Sequence, residues 1–313
     1  MDKKLYYRGK AGTVWYNFTE CFAYVILHRK TPDNCFYEKI RYGSEKRQYI
    51  NICSRKDLAD VKKPVFIYIH GGGFVSGITE MRDTYVAEWA KKGFFTASIS
   101  YTYAPDKVFP GQLHEIYAAL DKIYELKDKY NIDLDNIVLA GESAGGYYIL
   151  KLAEHACDKS LYDKLSIDFK NKDSFSVKAL VSHCGCFDLK NLLDKSKNQS
   201  KFPDIKMMVT SFLGKPYDEA KKYLESEEGA LSYPHITADF PPAFIIYAHN
   251  DYLRFEAFDF IEEYKKYGID FAQFEGTGII SLHAWTLALV VEKGRDCFNK
   301  AFEYINNIID NKL

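Results

Sequence analysis

The chain has 313 residues, of which 47% are apolar and 27% charged, a balance typical of a globular protein with a large core. Its formal charge of -1 and isoelectric point near 6.7 exclude the basic excess of a nucleic-acid-binding surface. The N-terminal sequence has no apolar signal segment, and every apolar run is too short to span a bilayer. We therefore expect a cytoplasmic protein without a membrane partner.

The seven cysteines show neither a CxxC pair nor the spacing of a metal site. An odd number of thiols in a chain without a secretory signal favours buried, reduced cysteines over disulfide bonds. We therefore expect neither a disulfide framework nor a structural metal ion.

The first predicted elements lie at the edge of a sheet. Residues 1–34 show no strand–helix alternation, and we assign them to a cap over the strand ends. Two short runs, residues 37–41 and 48–52, flank a turn that contains Gly43. This arrangement predicts an antiparallel hairpin.

From about residue 61 onward, short apolar runs alternate with helical patterns. Runs that are apolar on both faces are typical of central strands in a parallel sheet covered by helices. The helical patterns repeat apolar residues at intervals of three and four. The predicted strands are residues 65–69, 96–101, 137–140, 179–182, 243–248 and 271–274, and the predicted helices are residues 113–124, 144–156, 255–267 and 284–309.

This alternation predicts an α/β fold with a mostly parallel, doubly wound sheet and helices on both faces. In such sheets, ligands bind beyond the carboxyl ends of the strands. A charged segment, roughly residues 188–235, interrupts the alternation and is assigned to the cap. Because the chain has no internal repeat or flexible linker, we expect one domain over residues 1–313, with cap elements at about 1–34 and 188–235.

Ser143 lies at the centre of the G-x-S-x-G pattern GESAG at 141–145. The pattern alone is weak, since chance produces it in roughly one chain in ten of this length. Its context is specific, because a predicted strand precedes it and a predicted helix follows it. A sharp turn from strand to helix exposes the serine at a helix N-terminus, where N–H groups favour negative charge. Ser143 is therefore predicted to be a nucleophile.

A glycine-rich loop, HGGGF at 70–74, directly follows the predicted strand at 65–69. Consecutive glycines let the backbone approach a substrate oxygen closely and present N–H groups to it. We predict that Gly71 and Gly72, together with the N–H of Ala144, form an oxyanion hole. His70 is expected to anchor the loop rather than to carry a proton.

A serine nucleophile needs a general base that a carboxylate orients. Among the histidines after Ser143, His283 is the best candidate, because it follows a predicted strand and a glycine-containing loop. Asp251 and Asp188 each follow a predicted strand and are the candidates for the acid. We favour Asp251, although an aspartate before the helix at 255–267 is also typical of an N-cap. Position along the chain leaves Asp188 open.

Together these motifs resemble the hormone-sensitive-lipase-like group of α/β-hydrolases, the carboxylesterases with an HGGG oxyanion loop. The resemblance extends from the hairpin to the last helix, and it implies that Asp251 is the acid and His283 the base. The similar segments are HGGGF at 70–74, GESAGG at 141–146, FPPA at 240–243, HNDYLR at 249–254 and LHAW at 282–285.

The chain departs from the group at three places, Glu142, Tyr252 and Ala284-Trp285, where many members have Asp, Pro and Gly-Phe. None of these changes removes a catalytic group. They are expected to alter the shape of the pocket rather than its chemistry.

From these residues we predict a serine hydrolase that cleaves small carboxylic esters with short acyl chains through an acyl-enzyme, without a metal ion or organic cofactor. An amide or formamide hydrolase is the first alternative, because the hairpin also resembles that of arylformamidases, which typically show HGGYW. A non-catalytic binding protein on the same fold is the second, and the intact Ser, Asp and His argue against it. The physiological substrate, the preference for ester or amide, and a homo-oligomeric state stay open.

Overall fold

One sheet organises the part of the chain that the computed structural model describes, which is residues 3–27, 32–195, 204–278 and 281–309. Its strands are β1 (Cys35–Arg41), β2 (Tyr49–Arg55), β3 (Lys63–Ile69), β4 (Phe95–Ser100), β5 (Ile132–Glu142), β6 (Ala179–His183), β7 (Ala243–Ala248) and β8 (Phe271–Gly276). They lie in the order β1-β2-β4-β3-β5-β6-β7-β8. β1 pairs antiparallel with β2 and β2 with β4, while all other neighbours are parallel.

Helices cover both faces of this sheet. α3, α5 and α11 contribute to the core on one face, and α2 and α12 to the core on the other. The prediction of a doubly wound, mostly parallel α/β sheet is therefore confirmed. The helices are α1 (Lys3–Leu27), α2 (Asp83–Lys91), α3 (Gly111–Glu125), α4 (Lys127–Tyr130), α5 (Ala144–Cys157), α6 (Ser160–Lys164), α7 (Leu189–Lys195), α8 (Ile205–Leu213), α9 (Tyr217–Leu224), α10 (Glu227–Ala230), α11 (Arg254–Tyr267) and α12 (Glu292–Ile308).

The alternation of side chains along β3 explains why its sequence is apolar throughout. Ile67 points into the core beside α3 and α5, whereas Phe66 and Tyr68 point into the core beside α2 and α12. Phe66 stacks on Trp89 of α2 with ring centroids 4.1 Å apart. Both faces of the strand are thus removed from water.

Most predicted boundaries differ by a few residues from the observed ones, and two elements begin about five or more residues from their predicted starts. The strand predicted at residues 137–140 runs from Ile132 to Glu142, because a register shift beside Pro64 lets β5 pair with β3 over a polar start. The helix predicted at 284–309 begins only at Glu292. Ala284 has a left-handed φ of 55°, and only a 3-10 turn, Trp285–Leu287, follows it. The apolar residues keep a helical spacing across this turn, so the sequence pattern did not predict the break.

The segments predicted as cap elements consist mostly of helices where the structure describes them. α1 packs against α8, and α7 packs against both α8 and α9. Residues 28–31 and 196–203, which belong to the same predictions, lie outside the described residues. The assignment of residues 1–313 to one domain with a cap at about 1–34 and 188–235 stays a prediction.

All six cysteines whose side chains are described carry free thiols. Five of them are buried, and Cys157 is exposed, so the expectation of burial fails at that position. Among the described helices, none combines the length and the apolar character that crossing a membrane requires.

Candidate active site

The turn between β5 and α5 consists of Ser143, which has φ 53° and ψ -119°. Residues with a Cβ seldom adopt this region, so the surrounding structure must hold it. The Ser143 N–H donates to the His183 carbonyl at 3.0 Å, and its own carbonyl accepts from Gly146 and Cys186 at 2.9 and 3.1 Å. These bonds fix the serine from α5 and from the chain that follows β6.

Two glycines flanking Ser143 lie so close to neighbouring backbone atoms that no side chain fits at either position. A Cβ on Gly145 would lie 2.0 Å from the carbonyl oxygen of Ile69, and one on Gly141 would lie 2.6 Å from the Gly145 backbone. The G-x-S-x-G pattern therefore follows from packing α5 directly against the end of β3.

His283 and Asp251 lie side by side after β8 and β7. Nδ1 of His283 is 2.9 and 3.0 Å from the two carboxylate oxygens of Asp251. Burial raises the pKa of Asp251, but the hydrogen bond and charge of His283 outweigh that effect and, with the Leu253 N–H, hold the pKa below its usual value. A carboxylate on Nδ1 leaves Nε2 as the proton acceptor of the ring.

Nε2 of His283 is buried and has no hydrogen-bond partner among the described residues. The ring of Tyr252 lies beside the imidazole, with centroids 4.7 Å apart. Tyr252 stands where the resembling group has proline, so this departure supplies an aromatic wall for the histidine.

The rival acid Asp188 performs a different task. Its carboxylate accepts hydrogen bonds from the backbone N–H groups of Lys190 and Asn191, at 2.8 and 3.0 Å, at the start of α7. It is thus a helix N-cap, the role that the sequence analysis considered for Asp251. The structure brings Asp251 to His283 and not Asp188.

A cavity of about 200 Å³ contains the Ser143–His283 region. A narrower recess of about 20 Å³ adjoins it at Ser143 and has mostly apolar walls. The larger cavity is lined by Tyr16, Gly72, Gly73, Ser76, Arg82, Glu142, Ser143, Met208, Tyr252, His283 and Ala284. The recess is lined by Gly73, Phe74, Ser143, Ala144, Cys186, Leu192, Ile205, Met208, Val209, Tyr252 and Leu253.

The first amide of the glycine loop has a partner that the prediction did not include. The amide of Gly71 faces the carboxylate of Glu142, and a Cβ on Gly71 would lie 2.5 Å from the Glu142 carbonyl oxygen. Gly72 and Gly73, with φ of 108° and 60°, are the glycines of the loop that line the cavity. The amide contact conflicts with the predicted role of Gly71 as an oxyanion donor, whereas Gly72 as a donor stays a prediction.

His70 holds this loop in place. Its ring stacks on Tyr101 with centroids 4.5 Å apart, and Nδ1 lies 2.7 Å from the Gly71 carbonyl oxygen. Burial lowers the pKa of His70 to about 4, so the ring is neutral at physiological pH. A neutral, enclosed imidazole fits the anchoring role expected for His70.

Glu142, beside Ser143, is buried with a cation. Arg82 Nε lies 2.7 Å from the Glu142 carboxylate, and the Tyr68 hydroxyl donates to the same group. Burial raises the pKa of Glu142, but Arg82, Tyr68 and the Gly71 amide together hold it below the usual value. The charged pair supports the glycine loop through the Gly71 amide and the serine turn through Glu142 itself.

Three cavity residues were missed by sequence reasoning, Ser76, Arg82 and Met208. Ser76 follows the glycine loop, Arg82 ends the 3-10 turn Thr79–Arg82, and Met208 lies on α8, so no local motif joins them to Ser143. Only Arg82 left a signal, because a carboxylate at position 142 inside an apolar elbow requires a buried cation.

One group of potential metal ligands occurs among the described residues, and it is Cys184, Asp251 and His283, with ligand atoms within 4.8 Å of one another. Burial and the nearby Asp251 raise the pKa of the Cys184 thiol well above its usual value, so the thiol keeps its proton. A thiol that donates to Asp251 accounts for this proximity without a metal ion.

Known proteins are similar to this chain in fold and in sequence. Esterase B from Lactobacillus Rhamnosis has a TM-score of 0.81 at 16% identity, over 98% of this chain and 95% of its own. An esterase of Gibberella moniliformis is 24% identical over 86% of this chain and 82% of its own length. An α/β hydrolase of Acanthamoeba polyphaga mimivirus is 38% identical over 91 residues, which are 29% of this chain and about a quarter, 26%, of that protein.

The fold and these relatives define an α/β hydrolase of the carboxylesterase type, which confirms the resemblance to the hormone-sensitive-lipase-like group. Within that class, the chain belongs to the BD-FAE family, whose family model matches residues 53–254.

Proposed function

We propose that the protein hydrolyses small carboxylic esters, with Ser143 as nucleophile, His283 as general base and Asp251 as the acid that orients the base. One observation carries the proposal. Asp251 holds Nδ1 of His283, and Nε2, which has no partner among the described residues, belongs to a ring that lines the same cavity as Ser143. This is the arrangement that a serine needs to lose its proton at neutral pH.

The proposed reaction passes through an acyl-enzyme. Ser143 Oγ attacks the ester carbonyl while its proton moves to Nε2 of His283, giving a tetrahedral oxyanion. The C–O bond to the alcohol then breaks, and the alcohol leaves with the proton from His283. Water then adds to the acyl group while His283 takes a proton from the water. The bond between the acyl group and Ser143 Oγ breaks, the acid is released, and His283 returns the proton to Ser143 Oγ.

For the oxyanion we propose the N–H groups of Gly72, Gly73 and Ala144. Gly73 replaces the earlier candidate Gly71, because the amide of Gly71 faces Glu142. Ala144 is the first residue of α5, so its N–H has no acceptor within the helix. Losing one such donor typically costs about 3–4 kcal/mol of transition-state stabilisation.

The size of the recess supports a short acyl chain. Its volume of about 20 Å³ is little more than the ~10–15 Å³ that one water molecule needs. Because its walls are mostly apolar and it adjoins Ser143, it suits the methyl or ethyl end of an acyl group. We also propose that the enzyme acts in the cytoplasm, because the six cysteines whose side chains are described carry free thiols, as is typical of a reducing compartment.

Turnover of p-nitrophenyl esters tests both parts of the proposal. We expect the highest kcat/KM for the acetate or propionate, with a fall at longer chains, and loss of all but residual activity in Ser143→Ala. A Ser143→Ala protein with full esterase activity would contradict the assignment of Ser143 as the nucleophile. Faster turnover of N-formylkynurenine than of p-nitrophenyl acetate would instead support a formamide hydrolase.

A further inference from the structure

α1 has an inner face that is fitted tightly to the rest of the protein. A Cβ on Gly12 would lie 2.4 Å from the Met207 side chain of α8, and one on Gly9 would lie 2.9 Å from Ser211. The Thr13 hydroxyl donates to the Val75 carbonyl at 2.7 Å. Small residues on this side therefore let α1 lie directly on α8 and the glycine loop.

The opposite, outer face of α1 is apolar and exposed. Val14, Trp15 and Phe18 follow Tyr7 by seven, eight and eleven residues. At 100° per residue, this spacing places the four apolar side chains within an arc of about 100° on the helix. Single exposed apolar residues are ordinary, but four on one helix face form a patch that calls for a partner. These side chains and their exposed fractions are Tyr7 70%, Val14 70%, Trp15 57% and Phe18 70%.

The charge of α1 indicates which partner the patch fits. Lys3 and Lys4 are exposed, and their positions put them on the same side of the helix as the patch. Residues 3–18 contain no Asp or Glu. Arg8 and Lys10 are bound to Asp204 and Asp106, at 2.6 and 2.8 Å, which leaves the two lysines to define the charge beside the apolar patch. Aromatic residues flanked by lysines match an anionic lipid surface.

A second copy of the chain fits the patch less well. The four apolar side chains offer on the order of 500 Å², below the about 800 Å² per partner of a stable protein interface. Two such faces in parallel contact would also bring the Lys3 and Lys4 pairs together. A lipid surface needs no shape complementarity and supplies the opposite charge.

We propose that the outer face of α1, formed by Tyr7, Val14, Trp15 and Phe18 with Lys3 and Lys4, binds anionic lipid surfaces. Tyr16, on the inner face, lines the cavity of Ser143 and His283, so binding would hold the cavity close to the lipid. The absence of a spanning segment led to the expectation of no membrane partner, but a helix that lies in the interface needs no such segment. Docking goes beyond the proposed ester hydrolysis and is measurable without turnover.

Vesicle flotation of the full chain tests the proposal. We expect binding to vesicles of phosphatidylglycerol and phosphatidylcholine, little binding to phosphatidylcholine alone, and weaker binding in about 0.5 M NaCl, where charges are screened. Trp15→Ser/Phe18→Ser should weaken binding ~tenfold or more, because it removes half of the apolar anchors. Lys3→Glu/Lys4→Glu should weaken binding to the anionic vesicles only.

Phe258→Ser/Val290→Ser is the matched control, because both side chains are exposed, 41% and 44%, and lie outside α1. It should bind like the wild type. All variants should hydrolyse soluble p-nitrophenyl acetate at the wild-type rate, so loss of docking and loss of the proposed function are separable. No flotation with any vesicle, equal flotation of the Trp15/Phe18 variant, or a dimer that this variant abolishes would overturn the proposal.

Discussion

At the scale of single residues, hydrogen-bond partners assign different tasks to two carboxylates that follow neighbouring strands. Asp251, after β7, holds the imidazole of His283. Asp188, after β6, has its carboxylate occupied by two backbone N–H groups of α7. Each acid is satisfied where it lies, so neither can replace the other without rebuilding a helix end or a loop.

Asp251→Asn tests this division. The substitution keeps the size of the side chain but removes the charge that fixes the tautomer of His283, so kcat/KM for p-nitrophenyl acetate should fall by about 10³- to 10⁴-fold. Asp188→Asn is the control, because Asn caps helices about as well as Asp and should leave activity and stability nearly unchanged. A comparable activity loss in Asp188→Asn would contradict the assignment of the acid.

At the scale of elements, two glycines illustrate how much the contact between β3 and α5 restricts the sequence. Gly145 faces the Ile69 carbonyl oxygen, where a Cβ would lie 2.0 Å away. Gly268 ends α11 with φ of 66° and has nothing within 4 Å of an added Cβ. The first is required by packing and the second only by backbone conformation.

Gly145→Ala should therefore destabilise the protein far more than Gly268→Ala. The first substitution pushes α5 away from β3 and should cost ~3 kcal/mol or more, a loss typical of overpacking at a site that cannot relax. The second should cost ~1 kcal/mol, for a left-handed residue with a Cβ. Urea unfolding measures both, and equal losses would refute the packing argument.

Glu256 links α11 to the chain that enters α7. Its carboxylate accepts from the N–H groups of Phe187 and Asp188 at 2.7 and 2.9 Å. Burial first, and then the charges of Asp188 and Asp259, raise its pKa from 4.5 to about 7 against the effect of these amides. Protonation of Glu256 thus favours the folded state, because burial and the two nearby charges disfavour its carboxylate more than the two amides stabilise it.

The stability of the protein should consequently fall as pH rises through this range. The folded state keeps the Glu256 proton up to about pH 7, whereas the unfolded chain loses it near 4.5, so the free energy of unfolding decreases between these values by up to ~3 kcal/mol. Glu256→Gln should reduce this decrease in urea unfolding from about pH 5 to about pH 8, the remainder coming from Asp83, whose pKa burial also raises to about 7. The exposed Glu262→Gln on the same helix should retain the decrease in full. An unchanged slope in Glu256→Gln would contradict the cause.

Sequence patterns predicted most strands and the serine turn because these elements carry their signal locally. The apolar runs of β3 and β7, and the glycines around Ser143, record burial and close approach at their own positions. The Asp251–His283 pair could be proposed only through a family resemblance, since periodicity left Asp188 open. Which glycine amides are available as oxyanion donors could not be predicted from the sequence, because it depends on Glu142 lying across from Gly71.

At the scale of the whole molecule, parallel strands gather the proposed catalytic groups at one edge. The glycine loop follows β3, Ser143 follows β5, Asp251 follows β7 and His283 lies in the chain after β8. Since these strands are parallel, their carboxyl ends meet at the same side of the sheet. The sheet supplies the chemistry, and the helices α1, α7 and α8 supply the cover that shapes the pocket.

This division predicts that acyl-chain preference is set by the cap. Leu192 of α7 lines the recess beside Ser143, whereas its neighbour Leu193 is equally buried but does not line it. Leu192→Ala should enlarge the recess and move the optimum for p-nitrophenyl esters from acetate or propionate toward butyrate or hexanoate. Leu193→Ala should cost a similar ~2–5 kcal/mol of stability and leave the optimum unchanged. If both variants shift the optimum equally, general loosening of α7 rather than the recess controls chain length.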